Sequence, residues 1–265
     1  MKEAATLEMR GATALITFNR PQQKNALDID MRETLAKHVV TVRDDPAVKA
    51  VVLTGAGDAF CAGGDLKSLS SEKRPASASR NRIRRLHTWF QELVNLEKPV
   101  VAAVHGPAFG AGFNLALACD FILCSPQARF SAVFGRIGLV PDLGGFFLLP
   151  RILGLQRAKE LIFSTRVLEP EEARQLGVVY AIHPAPQLLD AALELAGRFH
   201  NASTDAIGMA KNVLNQAFHL DQRALAEMES YAQALAVETS YHQEAVARFK
   251  RKEPPLFQWG KKGGK

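Results

Sequence analysis

Residues 109–120 read Phe-Gly-Ala-Gly-Phe-Asn-Leu-Ala-Leu-Ala-Cys-Asp and follow closely behind an apolar run at 100–104. The pattern predicts a buried helix that comes after a buried strand. Gly110, Ala111 and Gly112 are small enough for the polar atom of a ligand to reach the free N–H groups of the first helical turn. Because the helix dipole favours negative charge there, we expect an anion or a developing oxyanion at this position.

A similar junction lies upstream at 62–66, where the sequence reads Ala-Gly-Gly-Asp-Leu. A mostly apolar strand is predicted at 48–54, a loop at 55–58, and Asp65 is a candidate N-cap for a short helix. Two N–H groups that converge on one carbonyl oxygen form an oxyanion hole, usually the largest single electrostatic contribution in acyl chemistry. The two junctions together predict such a hole.

The composition favours one main globular unit with an appendage. The chain has 265 residues, of which 47% are hydrophobic and 23% charged. We find no uncharged apolar run long enough for a membrane span and no hydrophobic segment of a signal peptide near Met1. Cys61, Cys119 and Cys124 lack metal-like spacing, so we expect reduced, buried thiols in a cytoplasmic protein.

The formal net charge of +6 favours anionic partners without choosing between nucleic acid and a phosphorylated small molecule. The basic clusters at 79–85 and 249–252 are typical of solvated helix faces. Because the chain lacks the aromatic and basic signatures of RNA-binding modules, a nucleic-acid partner is not expected.

Strand and helix signals alternate over the first two thirds of the chain. A hairpin is predicted at 6–18 around Gly11, a helix at 29–43 capped by Asp28, and an amphipathic helix at 80–96. The polar segment 70–79, which contains Pro75, is predicted to be a mobile connector that could act as a lid. Further apolar strands at 100–105 and 121–124 favour an α/β fold with covered, largely parallel strands.

The last third is predicted to be mostly helical. Helices are predicted at 145–153, 155–163 and 170–176, then a last strand at 178–182, then helices at 187–199, 204–218 and 221–246. Because the block after 186 has no strand signals, we expect it to pack as a helical appendage or an oligomer interface.

Several motifs occur here in an order and spacing that one enzyme superfamily shares. They are Asn19-Arg20-Pro21, Asn25-Ala26-Leu27, the segments 60–66 and 110–120, Leu149-Pro150-Arg151 and the terminal segment 248–257. Over nearly its whole length the chain resembles the crotonase (enoyl-CoA hydratase/isomerase) superfamily. The resemblance implies a spiral of ββα turns at 1–200 that binds acyl-CoA thioesters. It also implies a helical region at 201–265 that forms homotrimers or dimers of trimers.

Carried over by position, the resemblance implies an oxyanion hole built from the backbone N–H groups of Gly64 and Ala111. It also places Asn114 and Phe134 where hydratases of the superfamily carry two glutamates that activate water. Neither side chain is a useful base, so hydration by the usual mechanism is not expected. The implied activity is a double-bond shift in an enoyl-CoA or a related ring isomerisation, in fatty acid metabolism such as β-oxidation.

Asp142, in the loop 140–145, is the candidate acid and base. The resemblance matches it to the acidic residue of some isomerases, including enoyl-CoA isomerases and the ring-opening isomerase of phenylacetate breakdown. From the residue pattern alone, a turn role that satisfies loop N–H groups is the simpler interpretation. The resemblance reverses that preference because the pocket otherwise holds no evident proton-transfer group; we expect His105 to be a hydrogen-bonded core residue. Apolar neighbours are expected to raise the pKa of Asp142.

For the CoA portion, the resemblance places the adenine near Lys24, Ala26 and Ala62. The other candidates for contact with the substrate are Asp65, Leu66, Asn114 and Phe134. We expect no metal and no redox cofactor, since the His and Cys residues form no ligand pattern, and CoA enters as part of the substrate.

Other functions stay open at this point. One is an enoyl-CoA hydratase with atypical water positioning, and another is an acyl-CoA hydrolase. The missing glutamates also suggest a catalytically silent subunit, and the basic charge permits an RNA-binding protein.

Overall fold

The main sheet has six strands and a mostly parallel arrangement. The structure is a computed structural model that describes residues 3–65 and 75–260. Its strands are β1 (Ala5–Arg10), β2 (Thr13–Phe18), β3 (Ala50–Gly55), β4 (Val100–Val104), β5 (Pro107–Phe109), β6 (Phe121–Cys124), β7 (Arg129–Ser131) and β8 (Ala181–Ile182). The spatial order is β1-β2-β3-β4-β6-β8, and β5 and β7 form a separate parallel pair. Within the main sheet, as far as the structure describes it, β1 and β2 pair antiparallel as the predicted hairpin, and the other neighbouring strands pair parallel.

Ten α-helices lie in the described residues. They are α1 (Ile29–Asp44), α2 (Ala76–Val94), α3 (Ala111–Leu117), α4 (Gly145–Leu153), α5 (Leu155–Ser164), α6 (Pro170–Gln175), α7 (Ala185–Gly197), α8 (Thr204–Gln216), α9 (Gln222–Val237) and α10 (Ser240–Arg251). The predicted cap of α1 is confirmed, because the Asp28 side chain accepts a hydrogen bond from the Met31 N–H. The α/β class predicted from the alternating signals is also confirmed.

The sheet separates two apolar layers. Because neighbouring strand residues point to opposite faces, Val51 and Leu53 of β3 join the larger core with α1, α2 and α3. Val52 of the same strand faces the other way, where Leu188 and Leu195 of α7 cover it. The central strands β3 and β4 are therefore buried on both faces, as their continuous apolar runs predict.

Three predicted elements differ from the structure. The helix predicted at 221–246 is two helices, since α9 ends at Val237 and Thr239 caps α10 by accepting from the His242 N–H. The strand predicted at 178–182 is reduced to Ala181–Ile182. The connector predicted at 70–79 is partly wrong, because Pro75 precedes α2 and residues 76–79 are already helical. The rest of that connector, and Leu66, lie outside the described residues.

Gly112 allows the start of α3 to pack directly against the segment that contains Cys61. A Cβ atom added at Gly112 would lie 2.1 Å from the Cys61 carbonyl oxygen and 2.8 Å from the Cys61 Cβ. No side chain fits there without moving backbone, so this glycine sets how closely the two junctions predicted from the sequence approach each other.

We expect Gly112→Ala to lower the free energy of unfolding by about 1–3 kcal/mol or more, because backbone must shift to accept the methyl group. Urea unfolding of the purified variant measures this change. Gly197→Ala is the matched control, since its added Cβ would meet only the His200 ring, at 3.9 Å. Equal stability of the two variants would contradict the proposed close packing.

Candidate active site

Two short segments, around Cys61 and around Ala108, are hydrogen-bonded side by side. The Cys61 N–H donates to the Pro107 carbonyl at 3.0 Å, and the Phe109 N–H donates to the Cys61 carbonyl at 2.9 Å. On its other side the same segment accepts a bond from the Leu27 N–H to the Gly63 carbonyl, at 2.8 Å. These bonds bring the chain around Gly64 next to the start of α3, as the predicted oxyanion hole requires.

Ala111 and Gly64 lie close together with their N–H groups available. Ala111 is the first residue of α3, so helix geometry gives its N–H no partner within the helix. A Cβ atom added at Gly63 would be 3.4 Å from the Ala111 nitrogen, which shows how near the two segments come. Among residues 3–65 and 75–260, neither the Gly64 N–H nor the Ala111 N–H donates a hydrogen bond. Gly110 makes this approach possible with φ 53° and ψ −121°, a conformation that favours glycine.

Asp142 is held in a turn with unusual backbone geometry. Leu143 (φ 41°) and Gly144 (φ 74°) follow it in the left-handed region, and a buried leucine rarely adopts this conformation. Asn114 of α3 fixes the turn from below, because its Nδ2 donates to the Asp142 carbonyl oxygen at 2.7 Å. The carboxyl is thereby positioned by the same helix that begins at Ala111.

The Asp142 carboxyl has the properties of a tuned base. Its Oδ1 atom is buried and has no hydrogen-bond partner in the part of the chain that the structure describes. Burial raises the pKa of Asp142 above its ordinary value, and this effect exceeds the opposing charges of Arg32, Arg82 and His87. A half-buried carboxyl with a raised pKa and a free oxygen is a candidate for proton transfer.

Arg32 is a site residue that the sequence analysis missed. It lies in the first turn of α1, and its buried Nε has no hydrogen-bond partner in the described ranges. Burial lowers its pKa, while the carboxylates of Asp142, Asp28 and Asp65 act in the opposite direction. The sequence did hold one signal for this residue, because the charged Arg32 lies directly beside Met31 and Leu35, two buried apolar residues of α1.

The segment that contains Lys24 and Ala26 is built around a buried amide. Asn25 is fully buried, and its Nδ2 donates to the carbonyl oxygens of Ala56 and Ala59. Lys24 adopts φ 48°, and its carbonyl oxygen accepts a hydrogen bond from the Ala62 N–H at 2.9 Å. The structure thus brings the predicted CoA-binding residues Lys24, Ala26 and Ala62 to one place, beside Gly64.

Arg20, which lies in the same loop, forms ion pairs and a hydrogen bond within the protein. Arg20 pairs with Asp28 at 2.9 Å and with Asp65 at 3.4 Å, and it also donates to the Ala26 carbonyl at 2.6 Å. Its guanidinium therefore fastens the loop to the start of α1. The Asp65 carboxylate is correspondingly part of this ion-pair network.

Comparison with known proteins identifies the family. The model of the family described as enoyl-CoA hydratase/isomerase matches residues 8–261. The chain belongs to the enoyl-CoA hydratase/isomerase family. A crystal structure of an enoyl-CoA hydratase/isomerase from Cupriavidus metallidurans CH34 covers 99% of this chain and 98% of its own, with a TM-score of 0.91 and 38% identity. The resemblance to the crotonase superfamily and its fold is thereby confirmed.

Relatives within the enoyl-CoA hydratase/isomerase family carry different activities in their names. A 1,2-epoxyphenylacetyl-CoA isomerase from Escherichia coli K12 is 33% identical over 91% of this chain and 93% of its own. A carnitinyl-CoA dehydratase from E. coli SMS-3-5 is 38% identical over 80% of each chain. A short-chain-enoyl-CoA hydratase from Clostridium acetobutylicum ATCC 824 is 32% identical over 92% of this chain and 93% of its own. The reaction has to be inferred from the site.

The two positions that the sequence analysis matches to water-activating glutamates, Asn114 and Phe134, carry no carboxylate. Asn114 is 2% exposed and its amide is bonded to the Asp142 turn. The Phe134 ring lies against the backbone before α3, since a Cβ added at Gly110 would be 3.6 Å from its Cζ. The structure therefore brings Asn114, Phe134 and Asp142 together around Ala111.

Other groups that could react near neutral pH are held in unreactive states. Burial raises the pKa of the Cys61 thiol to about 12, so it stays protonated and a poor nucleophile. All three cysteines are free and buried, as predicted. His105 donates from Nε2 to the Gly57 carbonyl at 3.1 Å, and burial lowers its pKa. It is thus a hydrogen-bonded residue at the end of β4, in agreement with the sequence analysis.

Among the helices within residues 3–65 and 75–260, none is both long enough and apolar enough to cross a bilayer.

Proposed function

We propose that the chain is an enoyl-CoA isomerase that shifts a double bond, or carries out a related ring isomerisation, with Asp142 as its single acid and base. The observation that carries this proposal is the half-buried Asp142 carboxyl, whose Oδ1 has no hydrogen-bond partner among the described residues and whose pKa is raised by burial. Because its pKa is raised, this carboxylate is a stronger base than an ordinary aspartate, and Oδ1 keeps a lone pair for a substrate proton.

In the proposed reaction, Asp142 removes a proton from the carbon next to the thioester carbonyl of a 3-enoyl-CoA. The electron pair of the broken C–H bond moves into the carbonyl, and the resulting enolate oxygen accepts hydrogen bonds from the Gly64 and Ala111 N–H groups. The protonated Asp142 then returns the proton two carbons farther along, which regenerates the carbonyl and leaves a 2-enoyl-CoA. Atoms and charge balance with one carboxyl and no added reagent.

The choice of isomerisation over hydration rests on the environment of Asn114 and Phe134. Addition of water requires a group that holds and deprotonates the water opposite the double bond. The Asn114 amide is committed to the Asp142 carbonyl oxygen, and the Phe134 ring has no polar atom. Asp142 alone can exchange a proton between two carbons of one substrate, which is all that isomerisation needs.

A direct test gives one preparation a 3-enoyl-CoA and crotonyl-CoA in parallel assays. We expect conversion of the 3-enoyl-CoA to the 2-enoyl-CoA, followed by its absorbance, with no comparable loss of the conjugated double bond of crotonyl-CoA. Hydration of crotonyl-CoA at a similar rate would favour a hydratase instead. Turnover of neither compound would leave a hydrolase or a silent subunit.

The pH dependence follows from the direction of the Asp142 pKa. The base must be ionised, so kcat/KM should fall as pH decreases through the pKa of Asp142 in the free enzyme. Because burial raises this pKa, the fall should occur at a higher pH than for an ordinary aspartate, whose pKa is about 4. Since the Arg32 charge lowers this pKa, Arg32→Met should move the acid limb to higher pH. A pH profile of kcat/KM for both proteins checks this; a limb that Arg32→Met moves to lower pH would contradict it.

The same proposal gives the CoA moiety a place and requires no further cofactor. The nucleotide end would lie along Lys24, Ala26 and Ala62, which the loop bonds bring together, with the acyl end between Ala111 and Asp142. Asp65 follows this segment directly in the chain, and Leu66 lies outside the described residues. CoA then acts only as the carrier of the acyl substrate.

We also propose that residues 201–265 form the oligomerisation region of a cytoplasmic homotrimer or dimer of trimers, separate from the acyl-CoA-binding core at 1–200. Neither α9 nor α10 has a buried residue in the single chain. Tyr231 and Leu235 of α9 and Phe249 of α10 are 69%, 64% and 83% exposed. Light scattering should give a mass of three or six chains, and a monomer would contradict this assembly.

A further inference from the structure

Arg32 has a buried hydrogen-bond donor, Nε, that no described residue satisfies. Its Nε is inaccessible to solvent and without a hydrogen-bond partner in the described residues. A buried polar group left unpaired costs about 1–3 kcal/mol, so native proteins rarely keep one without a reason. Met31 and Leu35 pack into the core beside it, and the position could have held an apolar residue at no electrostatic cost.

The nearby carboxylates do not neutralise this guanidinium by contact. Asp28 accepts from the Met31 N–H and pairs with Arg20, which also pairs with Asp65. Asp28 and Asp65 raise the pKa of Arg32 by Coulombic attraction, without a hydrogen bond to its guanidinium. Arg20 rather than Arg32 is the cation that fastens this part of the loop.

Arg32 also lies within electrostatic range of the catalytic turn proposed above. Arg32 and Asp142 influence each other electrostatically, yet the Arg32 Nε and the Asp142 Oδ1 each lack a hydrogen-bond partner among the described residues. The charges of Arg82 and His87 of α2 also lower the pKa of this carboxyl. Among the described residues, an unpaired buried donor and an unpaired buried acceptor thus lie within electrostatic range of each other.

We infer that Arg32 binds an acceptor oxygen, a carboxylate or a carbonyl, on the acyl chain of the substrate, beyond the thioester. The thioester oxygen itself is assigned to Gly64 and Ala111, and the reacting carbons face Asp142. A purely hydrocarbon acyl chain would leave the Arg32 guanidinium without an acceptor, whereas an oxygen would pair with it. The inference rests on the proposed acyl-CoA site but does not depend on which reaction occurs there.

The test measures binding of saturated acyl-CoA esters, which cannot isomerise. Calorimetry compares butyryl-CoA with succinyl-CoA, and hexanoyl-CoA with adipoyl-CoA and 5-oxohexanoyl-CoA, so that length is matched and carboxylate is separated from neutral carbonyl. The proteins are the wild type, Arg32→Met, Arg32→Lys and Lys37→Met. Lys37 is an exposed cation on the same helix and controls for the loss of one charge.

We expect the wild type and Lys37→Met to bind an oxygenated ester about tenfold or more tightly than the hydrocarbon of the same length, at one length at least. Arg32→Met should abolish this preference while the Kd of the hydrocarbon ester changes less than about twofold. Arg32→Lys should keep part of the preference for a carboxylate and lose that for the ketone. Whether the carboxylate esters or the ketone ester bind more tightly identifies which kind of oxygen Arg32 binds.

Three results would overturn the inference: no preference in the wild type at either length, a preference that survives Arg32→Met, or an equal loss of affinity for every ester in Arg32→Met. The last result would mean that Arg32 supports the fold or the CoA moiety. Because no ester in this set reacts, a failed isomerase assay leaves the inference standing. Failure of all CoA esters to bind would end both proposals.

Discussion

Asp142→Asn is expected to lower kcat for the conversion of 3-enoyl-CoA to 2-enoyl-CoA by about 10²–10⁴-fold, because an amide cannot accept the substrate proton. The substitution keeps the size of the side chain. It also leaves the backbone carbonyl of residue 142 in place to accept the hydrogen bond from Asn114. The Kd of a saturated acyl-CoA should therefore change little, and the loss should appear in kcat rather than in binding.

The stability of this variant gives an independent check. Burial raises the folded-state pKa of Asp142, so the stability associated with this group is greatest at low pH and falls as pH rises through that value. At neutral pH the ionised carboxylate is a cost to the fold, and Asn removes it. We expect Asp142→Asn to have an equal or higher Tm than the wild type at pH 7, with the difference vanishing in acid.

These two measurements separate a base from a turn residue. If Asp142 mainly satisfied loop N–H groups, its replacement would lower Tm and leave the chemistry largely intact. A variant that isomerises as fast as the wild type would remove Asp142 from the mechanism. A variant that is both inactive and strongly destabilised at pH 7 would contradict the pKa argument.

Local sequence signals were sufficient for much of the fold. β4 is a continuous apolar run and α3 a mostly apolar one. The Asp28 cap joins two residues that are three positions apart in the chain. Each of these features can therefore be inferred from neighbouring residues in the sequence. The end of α9 was missed, because neither Gly nor Pro marks the break and the polar residues 238–240 that follow Val237 also occur within helices. The Thr239 side chain caps a new helix there, and this capped conformation competes with continuation of α9 as one long helix.

The site divides in the same way. The small residues before α3 predicted a place for negative charge, and the structure brings Gly64 and Ala111 next to each other. Their roles, like that of Asp142, remain proposals. Arg32 could not be assigned from sequence, because its neighbour Asp142 lies far along the chain and only the tertiary fold joins them. The amide of Asn114 likewise gave no hint that it would hold the Asp142 turn.

Ala111→Pro is expected to reduce kcat by about 10²–10³-fold, the usual effect of losing one oxyanion donor. Backbone donors cannot be removed by ordinary side-chain changes, but Ala111 is the first residue of α3, a position where proline is well tolerated. Proline there deletes the N–H and puts a ring carbon where the donor was. The helix keeps its other hydrogen bonds, so circular dichroism should remain close to that of the wild type.

Ala111→Gly is the matched control for this experiment, because it keeps the N–H and removes only the methyl group. The proposed hole requires the glycine variant to retain most of its activity while the proline variant loses it.

The combination of Ala111→Pro with Asp142→Asn adds a further constraint. Since both groups act on the same enolate, the double variant should lose much less than the product of the two single losses. Full activity in Ala111→Pro would show that the thioester oxygen is bound elsewhere, and the assignment of Gly64 would fall with it.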